Sequence, residues 1–155
     1  MPPQDPEWLA RSSDAIRKMY EYWRSKFDGD RLPKRSAIDP VDIPRFLPQI
    51  TIVEVVPDER RYVYRLVGTM EVEIRGRDPT GKSVLDGFFG PSIDNVLGCY
   101  DTVVATRAPL YDDEPYVTPD GRFSDDETVF LPLSDDGENV NRILVFGTFS
   151  PGPRA

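Results

Sequence analysis

The stretch Gly76-Arg77-Asp78-Pro79-Thr80-Gly81-Lys82-Ser83 has the residue types and spacing of a phosphate-binding loop, in which glycine-rich backbone and a lysine cradle an anion at the start of a helix. That chemistry needs a long helix directly after the serine, to lend its free N–H groups and its dipole. Ser83 is instead followed by Val84-Leu85-Asp86-Gly87-Phe88-Phe89-Gly90-Pro91, whose glycines and proline stop any helix within about two turns. The chain also lacks an apolar run ending in Asp to hold magnesium, and the strand-helix-strand alternation of a parallel sheet. The segment is read as a turn and a short helix.

Other chemistry is narrowed by what the chain lacks. It contains 0 histidines, which removes histidine triads, histidine zinc sites and histidine-ligated haem, and leaves carboxylates, lysine, tyrosine or Cys99. Cys99 is the single cysteine, so neither an internal disulfide nor a cysteine-cluster metal site is possible. With no basic neighbour to stabilise a thiolate, it reads as a small packed residue. The acidic groups at 112 to 114, 125 to 127 and 135 to 138 do not follow calcium-loop spacing and read as solvated turns. A proton-transfer pair of Tyr64 with Glu54 or Glu71 is the remaining catalytic candidate.

These residues must be positioned by a chain of 155 residues, enough for one core and too few for two ordinary domains. Hydrophobic residues at 39% and charged residues at 30% fit a globular domain, and 16 prolines imply many turns. A net charge of −8 repels phosphate backbones and anionic membranes, so neither nucleic acid nor membrane is an expected partner. Without a signal-like start or a membrane-length apolar run, a cytoplasmic location is expected.

Ser12 or Ser13 can cap a helix over 13–28, along which Ile16, Met19, Tyr20, Trp23 and Phe27 form an aromatic stripe ended by Asp28-Gly29. The stripe serves either core packing or a dimer or partner surface. Residues 29–48, with prolines at 33, 40, 44 and 48, read as a wrapped connector. Gln49 to Val56 and Arg61 to Val67 are strands joined by a tight turn at Asp58-Glu59. Facing residue numbers then sum to about 117. One face carries Thr51, Val53, Val55, Tyr62, Tyr64 and Leu66 and looks into the core; the other carries Ile52, Glu54, Val56, Arg61, Val63, Arg65 and Val67, with Glu54 and Arg65 paired and the N-terminal helix or a second subunit covering part of it. Gly68 to Arg75 favours a short helix capped by Thr69, and Ser92 to Arg107 a longer one. Leu110 to Val117, Glu127 to Leu133 and Arg142 to Phe149 complete the strands, with Pro132 demanding a bulge or a place where its missing N–H is not needed.

Two strands, a helical block and three strands predict an α+β fold: a five-stranded antiparallel sheet with helices packed on one face, plus the N-terminal amphipathic helix. Tyr64-Arg65-Leu66-Val67-Gly68-Thr69 leading into a short helix, and then Gly76 to Ser83, resemble a PAS domain. Leu32-Pro33-Lys34-Arg35, Asp39-Pro40-Val41-Asp42-Ile43-Pro44 and Leu131-Pro132-Leu133-Ser134 are similar to small stand-alone bacterial PAS proteins, over about residues 15 to 150. The resemblance implies a sensory or regulatory module, dimeric through flanking helices, with no catalytic residue to carry over. Leu97-Gly98-Cys99-Tyr100-Asp101 departs from the Asn-Cys-Arg segment of flavin photosensors of this fold, and no cofactor is expected.

The expected domain plan is a flexible N-terminus 1–12, one domain over 13–150 and a flexible C-terminus 151–155. A pocket for a small, largely apolar metabolite is expected between sheet and helices, lined by Val53, Tyr62, Tyr64, Leu66, Leu97, Tyr100 and Val104. A ligand-free dimeric adaptor for a signalling partner, and a small enzyme using the carboxylate–tyrosine pair, are the alternatives. No kinase, cyclase or DNA-binding segment is read in the chain, so output is expected through association with another molecule.

Overall fold

The computed structural model describes residues 5–154, so expectations for residues 1–4 and 155 lie outside it. An antiparallel six-stranded sheet forms the centre, built from β1 (Ile50–Val55), β2 (Tyr62–Val67), β3 (Leu110–Asp112), β4 (Tyr116–Val117), β5 (Phe123–Leu133) and β6 (Arg142–Pro151). The order is β2-β1-β6-β5-β3, with β4 also on β5. The single strand expected over 110–117 is split, because Asp113-Glu114-Pro115 interrupts it between β3 and β4. The fourth expected strand starts earlier, at Phe123.

Helices α2 (Thr69–Arg75), α3 (Val84–Gly87) and α4 (Ile93–Thr106) follow β2 and pack over one face of the sheet. The other face is covered by α1 (Asp14–Ser25), which rests on β5 and β6. Side-chain alternation sorts the two sides: Tyr111 stacks on Trp8 at 4.9 Å, and Trp8 in turn meets Tyr20 of α1, while the next residue, Asp112, faces the α4 side. Trp8 sits in a 3-10 turn, Glu7–Arg11, so this part of the expected flexible N-terminus is packed. Beyond β6, Arg154 donates its backbone N–H to Gly121 at 2.7 Å.

The aromatic stripe of α1 is core. Ile16, Met19, Tyr20 and Trp23 are all 0% exposed and Phe27 packs against them, so these residues are not the dimer or partner surface offered as one reading. Ser13 caps the helix by accepting from the Ile16 N–H. Trp23 Nε1 donates to the Pro132 carbonyl at 2.8 Å. Pro132 lies past the end of β3, where its missing N–H breaks no ladder bond and its carbonyl is free to accept from Trp23.

The β1–β2 register begins as expected, with Val55 opposite Tyr62, Glu54 opposite Val63 and Val53 opposite Tyr64. A bulge then shifts the pairing to Ile52 opposite Leu66 and Thr51 opposite Val67. Leu66 consequently leaves the face shared by Tyr64 and Thr51, and Val67 takes its place. The expected Glu54–Arg65 pair forms at 2.8 Å, and Arg142 joins it at 3.3 Å. Among the described residues, no helix is long and apolar enough to cross a membrane.

At the end of β2, Gly68 brings the chain against the connector: a Cβ there would lie 2.4 Å from the carbonyl oxygens of Leu47 and Pro48. Gly68, not the expected Thr69, is the N-cap of α2, and its N–H donates to Ile50 at 2.7 Å. Gly68→Ala must therefore displace backbone and is expected to destabilise by at least about 2 kcal/mol in urea denaturation, in the range of overpacking.

Candidate functional site

The segment with phosphate-loop spacing serves structure. Gly76 closes α2 in the left-handed conformation at φ 77°. Tyr64 then clamps the turn, its N–H donating to Lys82 at 3.0 Å and its carbonyl accepting from Gly81 at 2.7 Å. Ser83 caps α3, which has only 4 residues. These bonds hold Tyr64 and α2 in place beneath the helical layer.

Between that layer and the sheet lies a cavity of about 130 Å³. Its floor is Thr51, Thr128, Phe130, Val145, Gly147 and Phe149; Tyr64, Phe88, Tyr100 and Tyr116 add aromatic walls. Glu71, Ile74 and Arg75 enter from α2, and Val96 and Cys99 from α4. Exposed Ser92, Asn95 and Glu114 also line it, so it opens to solvent beside the start of α4.

Of the pocket residues expected from sequence, Tyr64 and Tyr100 line this cavity. Val53 and Leu97 are packed into the core, Val104 lies partly buried against it, and Leu66 is turned away by the bulge. Tyr62 stays outside because its ring packs on Tyr100 at 5.0 Å while its hydroxyl donates to Asp101. The cavity is also less apolar than expected: Glu71, Asp112, Glu114 and Asp125 bring four carboxyl groups to its lining, against the single cation Arg75. Two of the acidic groups read as solvated turns thus send a member inward.

A second bulge explains Asp125. Thr128 and Phe130 face the cavity, and simple alternation would next bring in Asp126. The extra residue between Asp125 and Glu127 reverses the phase and turns Asp125 inward. This position is invisible to a period-of-two reading; the only sequence hint is a run of consecutive acids entering a strand.

Glu71 and Arg75 stand one helical turn apart on α2, yet they form no ion pair within 4.0 Å among the described residues. Arg75 is drawn instead over the Tyr64 ring at 5.0 Å, and its Nη1 donates to the Gly87 carbonyl at 3.3 Å. Burial pushes the Glu71 carboxyl up to about 7, against the nearby Arg75 charge and with help from Asp125. Burial likewise raises Asp125 to about 7, against a Thr128 hydrogen bond and with repulsion from Asp112 and Asp126. Burial, aided by Asp112, raises the Cys99 thiol, so it is kept protonated and unreactive. The buried Thr51 hydroxyl and Arg75 Nε lack hydrogen-bond partners altogether.

The PAS domain family model matches residues 11–148 of the chain. Among solved structures, the chain is similar to a sensory box sensor histidine kinase from Vibrio cholerae, at 18% identity and TM-score 0.51 over 72% of this chain and 90% of that one. It is also similar to a light-oxygen-voltage domain studied with a flavin analogue, at 12% identity and TM-score 0.50 over 71% and 82%. At such identities the likeness concerns the fold. No curated protein sequence matches the chain.

The raised Glu71 value fixes a pH dependence. A carboxyl whose folded value exceeds its unfolded one stabilises the fold fully below the unfolded value, and that contribution is lost as pH rises through the folded value. Glu71→Gln removes the penalty, so it should stabilise by roughly 1–3 kcal/mol at pH 8 and have little effect at pH 4, as read by urea denaturation at both pH values.

Proposed function

The chain belongs to the PAS domain family, and on that premise we propose that it is a sensory module whose cavity binds a small molecule and whose output passes through contact with a second copy or a signalling protein. One observation carries the reading: two residues that line the cavity hold buried polar atoms without a hydrogen-bond partner, the Thr51 hydroxyl and Arg75 Nε. Leaving such groups unsatisfied costs about 1–3 kcal/mol each, a cost a bound molecule would offset. A cavity of about 130 Å³ sets the ligand's size well below that of drug-sized ligands, whose pockets start at about 300 Å³. Helices α2 and α4 each contribute to the lining, so occupancy acts directly on two of the helices that cover this face of the sheet. The apolar stripe of α1 is consumed by the core, which leaves its exposed face for any protein contact.

A second reading has a specific observation behind it. Glu71, with its carboxyl near 7, shares the cavity with Tyr64, the pairing a proton-transfer enzyme would use. Glu54 drops out of that reading because Arg65 and Arg142 hold it in an ion-pair network. In a sensor, the bound molecule is recovered unchanged; in an enzyme, it is converted.

Gly147 on the cavity floor offers the test, since a Cβ there would meet the Phe149 ring at an ordinary 3.4 Å. Gly147→Leu should fill the cavity while the chain stays folded. Native mass spectrometry of the purified proteins is expected to detect a retained small molecule on the wild type, unchanged after prolonged incubation, and none on the variant. Identical spectra for the two proteins would count against the cavity as the binding site.

A further inference from the structure

Resting on the reading of the cavity as a ligand pocket, we infer that its ligand is a small organic cation, an alkylammonium or diammonium of about six non-hydrogen atoms. Its charged nitrogen sits between Glu71 and Asp125, and its hydrocarbon lies against the aromatic walls. Charge balance is the first support. Glu71, Asp112, Glu114 and Asp125 oppose Arg75 alone, so the fully ionised lining carries −4 + 1 = −3. Glu71 makes no hydrogen bond among the described residues, and Asp125 accepts only a long one, 3.4 Å, from Thr128. Both carboxyls thus keep most of their accepting capacity free.

The second support is independent of the acids. Thr51, 3% exposed, turns a hydroxyl without a partner into the same cavity. A hydroxyl oxygen accepts an ammonium N–H, which no neighbouring side chain supplies. Phe88, Tyr100, Tyr116 and Phe130 contribute ring surface to the lining, and aromatic faces attract ammonium groups and their attached methylenes. The ring of Tyr64 is already taken by the Arg75 guanidinium.

A metal ion fits less well. No group of three or more His, Cys, Asp or Glu side chains among the described residues is placed to hold one. Size agrees: a cavity of about 150 Å³ holds the six carbons of benzene, and this one is about 130 Å³.

Binding of an ammonium that stays protonated below about pH 9 requires Glu71 and Asp125 as carboxylates, so it expels protons from both. The facing charged groups are Arg75 on α2, Asp112 and Glu114 around β3, and Asp126 beside Asp125; burial raises Cys99 and Tyr100, so both stay neutral below pH 8. Affinity should tighten between pH 6 and pH 8.

The test is a thermal-shift and calorimetric comparison of the full chain with diaminobutane, butanediol, succinate and magnesium chloride at matched ionic strength. Diaminobutane alone is expected to raise the melting temperature by a few degrees. Glu71→Gln and Asp125→Asn should each weaken its binding by about tenfold or more, as for loss of a charged hydrogen-bond partner. Both variants remove a buried charge and should melt no lower than wild type at pH 8, so loss of response is separable from loss of fold. An equal response to butanediol, succinate or magnesium, or full binding by both variants, would overturn the cation assignment and leave the sensory pocket standing. No response to any probe would overturn the assignment too; a molecule retained by wild type and lost in Gly147→Leu would then still support the pocket.

Discussion

Glu71 and Asp125 are half-buried in the lining of one cavity, and neither forms an ion pair within 4.0 Å among the described residues. Ionised carboxylates in such a place are costly, and proteins normally pair them, protonate them or leave them in solvent. Both sit near 7, so at neutral pH the site rests between the protonated and the charged state. The expected pH dependence of the fold follows from those two groups.

The fold supplies the geometry by a few local devices. Gly68 lets the chain pass against the Leu47 and Pro48 carbonyls, which fixes where α2 starts and hence which way Glu71 points. The bulge between Asp125 and Glu127 selects Asp125 for the inside. Arg75, the cation that might have neutralised Glu71, is held by the Tyr64 ring and the Gly87 carbonyl. On the far side of the sheet, α1 is anchored through Trp23 and Pro132 and its stripe is buried, while the α2–α4 face retains the cavity.

Much of this architecture could be read from residue types. The α1 stripe, the hairpin turn and its first three facing pairs, the Glu54–Arg65 pair, and the strand-helix-strand order follow from periodicity and turn chemistry. The candidate site was less legible: Val53, Leu97 and Val104 went to the core, Tyr62 to a contact with Tyr100, and two bulges altered which residues face the cavity. One inserted residue inverts every later side chain in a strand, so one bulge turned Leu66 off the Tyr64 face and the other turned Asp125 onto the cavity face. Acidic residues at strand ends look solvated in sequence, since nothing local says which one turns inward. Glu71 was visible as a candidate acid, but its approach to the cavity depends on the Gly68 contact, which joins residues about twenty positions apart. The α1 stripe was compatible with both a core and a partner surface, and only the covering of β5 and β6 decides between them.

The resemblance to PAS domains rested on motif order and is matched by the family model over residues 11–148; the chemistry of the pocket is a property of this chain's own side chains. It reduces to the ionisation of two groups, which carbon-13 NMR reads directly from the carboxyl resonances of Glu71 and Asp125 during a pH titration. The account predicts midpoints near 7 for both in the unliganded protein. Midpoints near 4, the ordinary carboxylate range, would mean that the two groups are solvated or paired and would contradict it.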